Sequence, residues 1–123
     1  MAARILIAED SETDLQFIKV ALQGSKHSFM YAKDGEEAEA VARQEKPDLI
    51  ILDVIMPKKN GFQVCRDLKK DDYFKQIPII LLTSKSQESD KFWGIKQGAD
   101  EYITKPFEPQ TLISAIKKFL GTL

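Results

Sequence analysis

Three short runs of this chain carry isoleucine and leucine at consecutive positions, with no polar residue breaking them. They are Arg4-Ile5-Leu6-Ile7-Ala8, Asp48-Leu49-Ile50-Ile51-Leu52-Asp53 and Ile77-Pro78-Ile79-Ile80-Leu81-Leu82-Thr83. A strand wetted on one side alternates apolar with polar residues, because successive side chains point to opposite faces. Unbroken apolar runs belong instead to strands covered on both faces, as in a parallel sheet held between helices. Two weaker runs, Ser28-Phe29-Met30-Tyr31-Ala32 and Glu101-Tyr102-Ile103, read as edge strands.

Helical periodicity fills the intervals. Leu15, Ile18, Ala21 and Leu22 share one face of a first helix, with Ser11 as its N-cap and Asp14 three residues on. Ala38, Val41 and Ala42 mark a second, with Gly35 at its entrance, and Phe62, Cys65 and Leu68 a third. Phe92 and Ile95 are expected to form the inward face of a fourth, stopped by Gly98. Trp93, about 100° around that helix from Phe92, should be only partly buried, as a packing residue against the third helix or as an anchor for a partner. Leu112, Ile113, Ile116 and Leu120 mark a fifth, with Pro109 near its start. The order is (βα)₅, which predicts a three-layer α/β sandwich with a five-stranded parallel sheet and right-handed crossovers.

At 123 residues, 43% of them hydrophobic, the chain is expected to be one domain over residues 1–123. Its 18 basic and 19 acidic residues leave a net charge of -1, which argues against a nucleic-acid-binding surface. No apolar run approaches the ~18 residues that span a bilayer, and the first residues do not resemble a signal peptide. The single cysteine, Cys65, excludes an internal disulfide. A cytoplasmic protein is the expectation.

The polar residues gather at one place in this layout. Glu9 and Asp10 follow the first strand, Asp53 ends the third, Thr83 ends the fourth and Lys105 follows the fifth. All lie at carboxyl ends of strands, the edge where open α/β sheets bind ligands. The strand order 2-1-3-4-5 is adopted from the flavodoxin-like fold type and not read from these residues; it makes strands one and three neighbours and gathers Glu9, Asp10 and Asp53. Three carboxylates at close range need a proton or a cation among them. A few hard oxygen ligands suit Mg²⁺, which keeps several waters and shares a phosphate. With Lys105 as a fixed charge on the far side, such a site suits phosphoryl transfer to a carboxylate nucleophile.

Glu9-Asp10, Leu52-Asp53-Val54-Ile55-Met56-Pro57 with Gly61, Leu82-Thr83-Ser84 and Thr104-Lys105-Pro106-Phe107 together resemble the receiver domains of bacterial two-component response regulators. The resemblance covers the whole chain. It implies that Asp53 is the phosphoacceptor, and that Asp10, Asp53 and the carbonyl of Ile55 ligate Mg²⁺ with Glu9 helping through water. It implies that Thr83 and Lys105 bind the phosphoryl group, that Tyr102 is a switch aromatic, and that the Lys105-Pro106 bond is cis. Ile55 and Lys85 match positions that tune phosphoryl lifetime. The partners implied are a sensor histidine kinase or phosphotransfer protein and a downstream protein target, with a contact surface at Lys91, Trp93 and Tyr102. The segment Asp90-Lys91-Phe92-Trp93-Gly94-Ile95-Lys96-Gln97-Gly98-Ala99-Asp100 looks like single-domain regulators of twitching and pilus-dependent motility.

Other readings compete. The chain could be the receiver part of a longer regulator whose output domain lies elsewhere. A Mg²⁺-dependent aspartyl-phosphate phosphatase of the haloacid-dehalogenase type would want a second carboxylate two residues after its nucleophile, where Ile55 stands. A flavodoxin-like cofactor carrier would want a phosphate-cradling loop where Glu9-Asp10-Ser11-Glu12 stands. His27 reads as a surface-loop residue, Cys65 as a small core hydrophobe, and Lys69-Lys70-Asp71-Asp72 as a solvated helix end.

Overall fold

The computed structural model describes residues 2–123. Strands and helices alternate: β1 (Arg4–Ala8), α1 (Glu12–Ala21), β2 (Ser28–Ala32), α2 (Gly35–Glu45), β3 (Leu49–Leu52), α3 (Gly61–Lys69), β4 (Ile79–Thr83), α4 (Glu88–Lys96), β5 (Glu101–Thr104) and α5 (Pro109–Leu120), with one 3₁₀ turn at Phe74–Gln76. The sheet has the order β2-β1-β3-β4-β5, and all its pairings are parallel. The three apolar runs are its centre and the two weaker runs its edges, as their patterns require. β4 starts at Ile79, two residues later than the apolar run, because Pro78 has no N–H for the ladder; its carbonyl still accepts from the Ile50 N–H at 3.0 Å.

Strand alternation sorts the core into two layers. Ile5, Ile7, Leu49, Ile51, Ile80 and Leu82 pack with Leu15, Ile18 and Leu22 of the α1 segment and with Leu112, Ala115 and Ile116 of α5. Leu6, Ala8, Ile50, Leu52, Ile79 and Leu81 face the other way, onto Ala38 and Ala42 of α2 and Val64, Cys65 and Leu68 of α3. Full burial of one such Ile or Leu contributes about 1.5–3 kcal/mol relative to leaving it wet. The first three helices start on side-chain caps: Ser11, Asp34 and Asn60 accept from the N–H groups of Asp14, Glu37 and Gln63.

Three expectations are corrected. Phe92 and Ile95 do not face inward; they are 67% and 52% exposed, and Gly94 is the buried residue of α4. A Cβ at Gly94 would lie 2.9 Å from Leu81 Cδ1 and from the Tyr102 ring, so α4 sits on the sheet by backbone approach and not by an apolar stripe. His27 is buried, not a surface residue. Its Nδ1 accepts from the Ala3 N–H at 2.8 Å and its Nε2 donates to the Thr122 carbonyl at 2.9 Å, tying the start of the chain to its last residues. Lys69 is not solvated: its ammonium donates to the Ile77 carbonyl at 2.7 Å and pairs with Asp100 at 3.1 Å. Cys65 is the core residue expected, fully buried, and burial pushes its thiol up to about 12.

Candidate functional site at the carboxyl edge of the sheet

Parallel strands deliver their carboxyl ends to one edge, and the ladder continues one step past each strand here. The Glu9 N–H donates to the Ala32 carbonyl at 3.0 Å, Asp53 to Ala8 at 3.0 Å and Lys105 to Thr83 at 2.8 Å. The backbone thus aims these residues before any side-chain contact is counted. Gly61 shows how tightly the edge is built. Its N–H donates to the Val54 carbonyl at 2.9 Å, and a Cβ there would strike the Asp53 carbonyl oxygen, so α3 begins directly against the backbone of Asp53.

Carboxylate oxygens of Glu9, Asp10 and Asp53 lie within 4.8 Å of one another. Glu9 and Asp53 are buried while Asp10 is exposed. Burial pushes the Glu9 carboxyl up to about 7; the Lys105 hydrogen bond opposes that rise and the Asp53 charge adds to it. Lys105 is not on the far side, as expected, but inside the cluster. Its Nζ is 2.6 Å from Glu9, 2.8 Å from Asp14 and 3.1 Å from Asp53. Burial works against the ammonium, yet Asp14, Glu9 and Asp53 outweigh it and hold the group above the ordinary lysine range. Asp14 was read from the sequence only as a capping-turn residue. Its place one turn into α1, directly after the strand that supplies Glu9, was the signal that it shares this edge.

Asp53 is held at both oxygens: Oδ1 accepts from the Ile55 N–H at 3.2 Å and Oδ2 faces Lys105. Ile55 itself is 55% exposed and offers the site no polar side-chain atom. Thr83 is fully buried; its hydroxyl oxygen receives the Lys85 N–H over a long 3.4 Å, and its own proton is unused among the described residues. Tyr102 donates its hydroxyl to the Lys85 carbonyl at 2.7 Å. Burial, with the charges of Asp90 and Asp53, pushes the Tyr102 phenol up to about 12, so it is neutral near pH 7. One peptide segment at Lys85 therefore stands between Thr83 and Tyr102. The Lys105-Pro106 bond is cis.

Lys91, Trp93 and Tyr102 do not form one patch. Two residues along a helix turn about 200°, and Trp93, 48% exposed, lines a groove shared with Phe62 and Arg66 of α3. Beside Lys105 lies a mostly apolar hollow of about 440 Å³, walled by Thr13, Phe17, Ser84, Pro106 and Phe107. Phe17 and Phe107 meet edge to face there, 5.1 Å between centroids.

The donor set at the cluster is all oxygen, closely spaced, with one exposed member that leaves room for water. That chemistry fits a small hard divalent ion such as Mg²⁺ and not a soft one.

A doubly wound parallel sheet with acidic groups and a lysine converging at its carboxyl edge defines a flavodoxin-like α/β protein built around an anionic cluster. A family profile for the response regulator receiver domain matches residues 5–117. The protein PilH of Pseudomonas aeruginosa is 45% identical over 119 residues, spanning 97% of this chain and 98% of that one. The alkaline phosphatase synthesis transcriptional regulatory protein PhoP of Bacillus subtilis is 41% identical, but the chain spans only 49% of its length. The crystal structure of the phosphorylated cyanobacterial phytochrome response regulator RcpA superimposes with a TM-score of 0.89 at 32% identity, covering 100% of this chain and 97% of that one. The chain belongs to the response regulator receiver family. It is a receiver domain, a phosphorylation-activated switch of two-component signalling. Receiver domains bind Mg²⁺ at an acidic pocket and interact with histidine kinases or phosphotransfer proteins. No helix among the described residues is long and apolar enough to cross a membrane.

Proposed function

We propose that this chain is a single receiver domain that accepts a phosphoryl group on Asp53 from a phosphohistidine of a sensor kinase or phosphotransfer protein, in the cytoplasm. The observation that carries this reading is the held carboxylate of Asp53, with Lys105 3.1 Å away and Glu9 and Asp10 beside it. An Asp53 oxygen attacks phosphorus, the P–N bond of the donor breaks, and the imidazole leaves with that electron pair. Asp10, Asp53 and the Ile55 carbonyl would hold Mg²⁺ directly and Glu9 through water. Bound there, the ion neutralises charge on the phosphoryl oxygens. Lys105 leaves part of its contact with Glu9 and Asp14 and pairs with the phosphoryl group. Thr83 donates its free hydroxyl proton to a phosphoryl oxygen. Its movement pulls on Lys85, whose carbonyl holds Tyr102, and so reaches the surface formed by α4, β5 and α5. The output is a protein contact on that surface, with Lys91 and Tyr102 on it. The likeness of residues 90–100 to regulators of pilus-dependent motility, together with the identity to PilH over nearly its full length, favours a stand-alone regulator of that kind. A receiver within a longer regulator is the second reading, favoured by the half-length match to PhoP.

Incubation with acetyl phosphate and Mg²⁺ should add one phosphoryl group, detectable by mass. Chelation should abolish the reaction, and Asp53→Ala should remain unlabelled. Equal labelling of Asp53→Ala would overturn the assignment. Because Mg²⁺ binds the folded cluster and not the dispersed chain, it should also raise the melting temperature, and less so in Asp10→Asn.

A further inference from the structure

We propose that the groove between α3 and α4 is a second docking site, for an acidic segment of a partner protein that carries a large apolar side chain beside its carboxylate. The groove has a volume of about 290 Å³ and is lined by Asn60, Phe62, Gln63, Arg66, Trp93 and Gln97. It lies on the flank of α4 opposite Lys91, away from the α4–β5–α5 surface, and it does not depend on the phosphoryl chemistry proposed above.

Three features define what would fit. Gln97 is 8% exposed, yet its side-chain amide makes no hydrogen bond within the described residues; only its backbone is engaged, the carbonyl receiving the Cys65 thiol at 3.5 Å. Among the described residues no fully buried side-chain N or O lacks a partner, so that amide keeps some contact with solvent, and Gln97 lines the groove. A buried amide, offering one acceptor and two donors, is a hook for a polypeptide backbone or a polar side chain. Arg66 is exposed and enters no ion pair among the described residues. Its neighbour Asp67 is already taken by Lys59, 2.5 Å away. The groove lining therefore holds a free guanidinium and no carboxylate, a charge imbalance that an acidic partner corrects with paired hydrogen bonds. Trp93 and Phe62 supply aromatic walls, and Trp93 leaves half its surface unused by the fold. Tryptophan and arginine beside one another are the residue types that most often dominate protein interfaces.

The test uses the full unphosphorylated chain and a random twelve-residue peptide library displayed on phage. Selected peptides should share an Asp or Glu within a few residues of Leu, Phe or Trp. A synthetic copy should change the emission of Trp93, the one tryptophan, in a saturable way. Arg66→Ala and Gln97→Ala should each weaken binding by about tenfold or more, the loss expected for a charge-assisted or buried hydrogen bond. Phe92→Ala, on the outer face of α4, should bind as the parent does. Arg66 is exposed and unpaired, so its variant should keep the parental melting temperature and report on binding alone. Failure to enrich any peptide, a consensus without acidic residues, or affinity that survives Arg66→Ala would overturn the proposal. So would affinity lost in Phe92→Ala but kept in Arg66→Ala. Because phosphorylation is absent throughout, none of these outcomes bears on Asp53.

Discussion

Helices α4 and α5 flank β5 on opposite faces of the sheet and are held in opposite ways. α5 buries Leu112, Ala115 and Ile116, spaced three and four apart, against Ile103, Leu82 and Leu15. α4 carries three large apolar residues, Phe92, Trp93 and Ile95, but all three are exposed and Gly94 is the residue it buries. Apolar content therefore does not report attachment. α5 is fastened by side chains that fill the core, whereas α4 rests its backbone on the Tyr102 ring and Leu81. A helix held in that way can shift without emptying a core, which suits an element next to a switch.

The largest expected effect tests the α5 side. Leu112→Ala should cost about 2–5 kcal/mol, the usual loss when a fully buried leucine leaves a cavity. Urea unfolding followed by far-UV circular dichroism would measure it. A loss below 1 kcal/mol would mean α5 is not fastened through this stripe. Gly94→Ala comes next and acts on α4. Alanine favours a helix interior by about 1 kcal/mol over glycine. The added Cβ meets Leu81 and Tyr102 at 2.9 Å, and overpacking costs about 1–3 kcal/mol. The clash should win, giving a net loss of about 1 kcal/mol, and Tyr102→Ala in the same chain should recover part of it. Net stabilisation by Gly94→Ala would show that α4 stands farther from the sheet than 2.9 Å contacts allow.

This contrast also marks where the sequence was readable. The sheet was legible because buried parallel strands leave unbroken Ile and Leu runs, and no other element of this chain imitates them. The cluster was legible because Glu9, Asp53 and Thr83 each adjoin such a run and Lys105 follows the weaker fifth one, so placing the strands placed the residues. α5 was legible because its apolar period matches the helix. α4 was not, because the position that faces the sheet is a glycine with no apolar side chain to mark it, while Phe92 and Ile95 have helical spacing without facing the core. His27 and Lys69 were misread for a different reason. His27 binds the Ala3 N–H and the Thr122 carbonyl and Lys69 pairs with Asp100, all distant along the chain, and such partners leave no local pattern. The position of Lys105 among three carboxylates depends on β5 lying three places from β1 in the sheet, a distance the residues alone do not state.

A smaller effect sharpens the contact between Tyr102 and the loop before α4. Tyr102→Phe removes the bond to the Lys85 carbonyl and should cost about 1 kcal/mol near pH 7. It should also change the alkaline limb. The phenol ionises near 10.0 in the unfolded chain and near 12 in the fold, mainly because burial disfavours the phenolate. The folded state thus keeps its proton longer, so this contribution is complete below pH 10 and is lost as pH rises through 12. Stability of the parent should fall more steeply than that of Tyr102→Phe between those limits, and parallel curves would refute the shift.

The smallest effect is the one that most directly separates the two helices. Phe92 is 67% exposed, and the Lys96 ammonium lies 5.7 Å from its ring centre. An exposed cation–π pair contributes about 0.5 kcal/mol, and little apolar area is buried beneath it. Phe92→Ala should therefore lower stability by no more than about 0.5 kcal/mol, several times less than Leu112→Ala, though it removes the larger side chain. Helix propensity favours alanine over phenylalanine and offsets part even of that loss. The same denaturation experiment decides the matter, with one further reading: the slope of unfolding free energy against urea should not change, because no buried surface is altered. A loss for Phe92→Ala as large as that for Leu112→Ala would mean that Phe92 faces the sheet after all. α4 would then be rotated by about half a turn, Gly94 would face solvent, and the groove beside Trp93 would close.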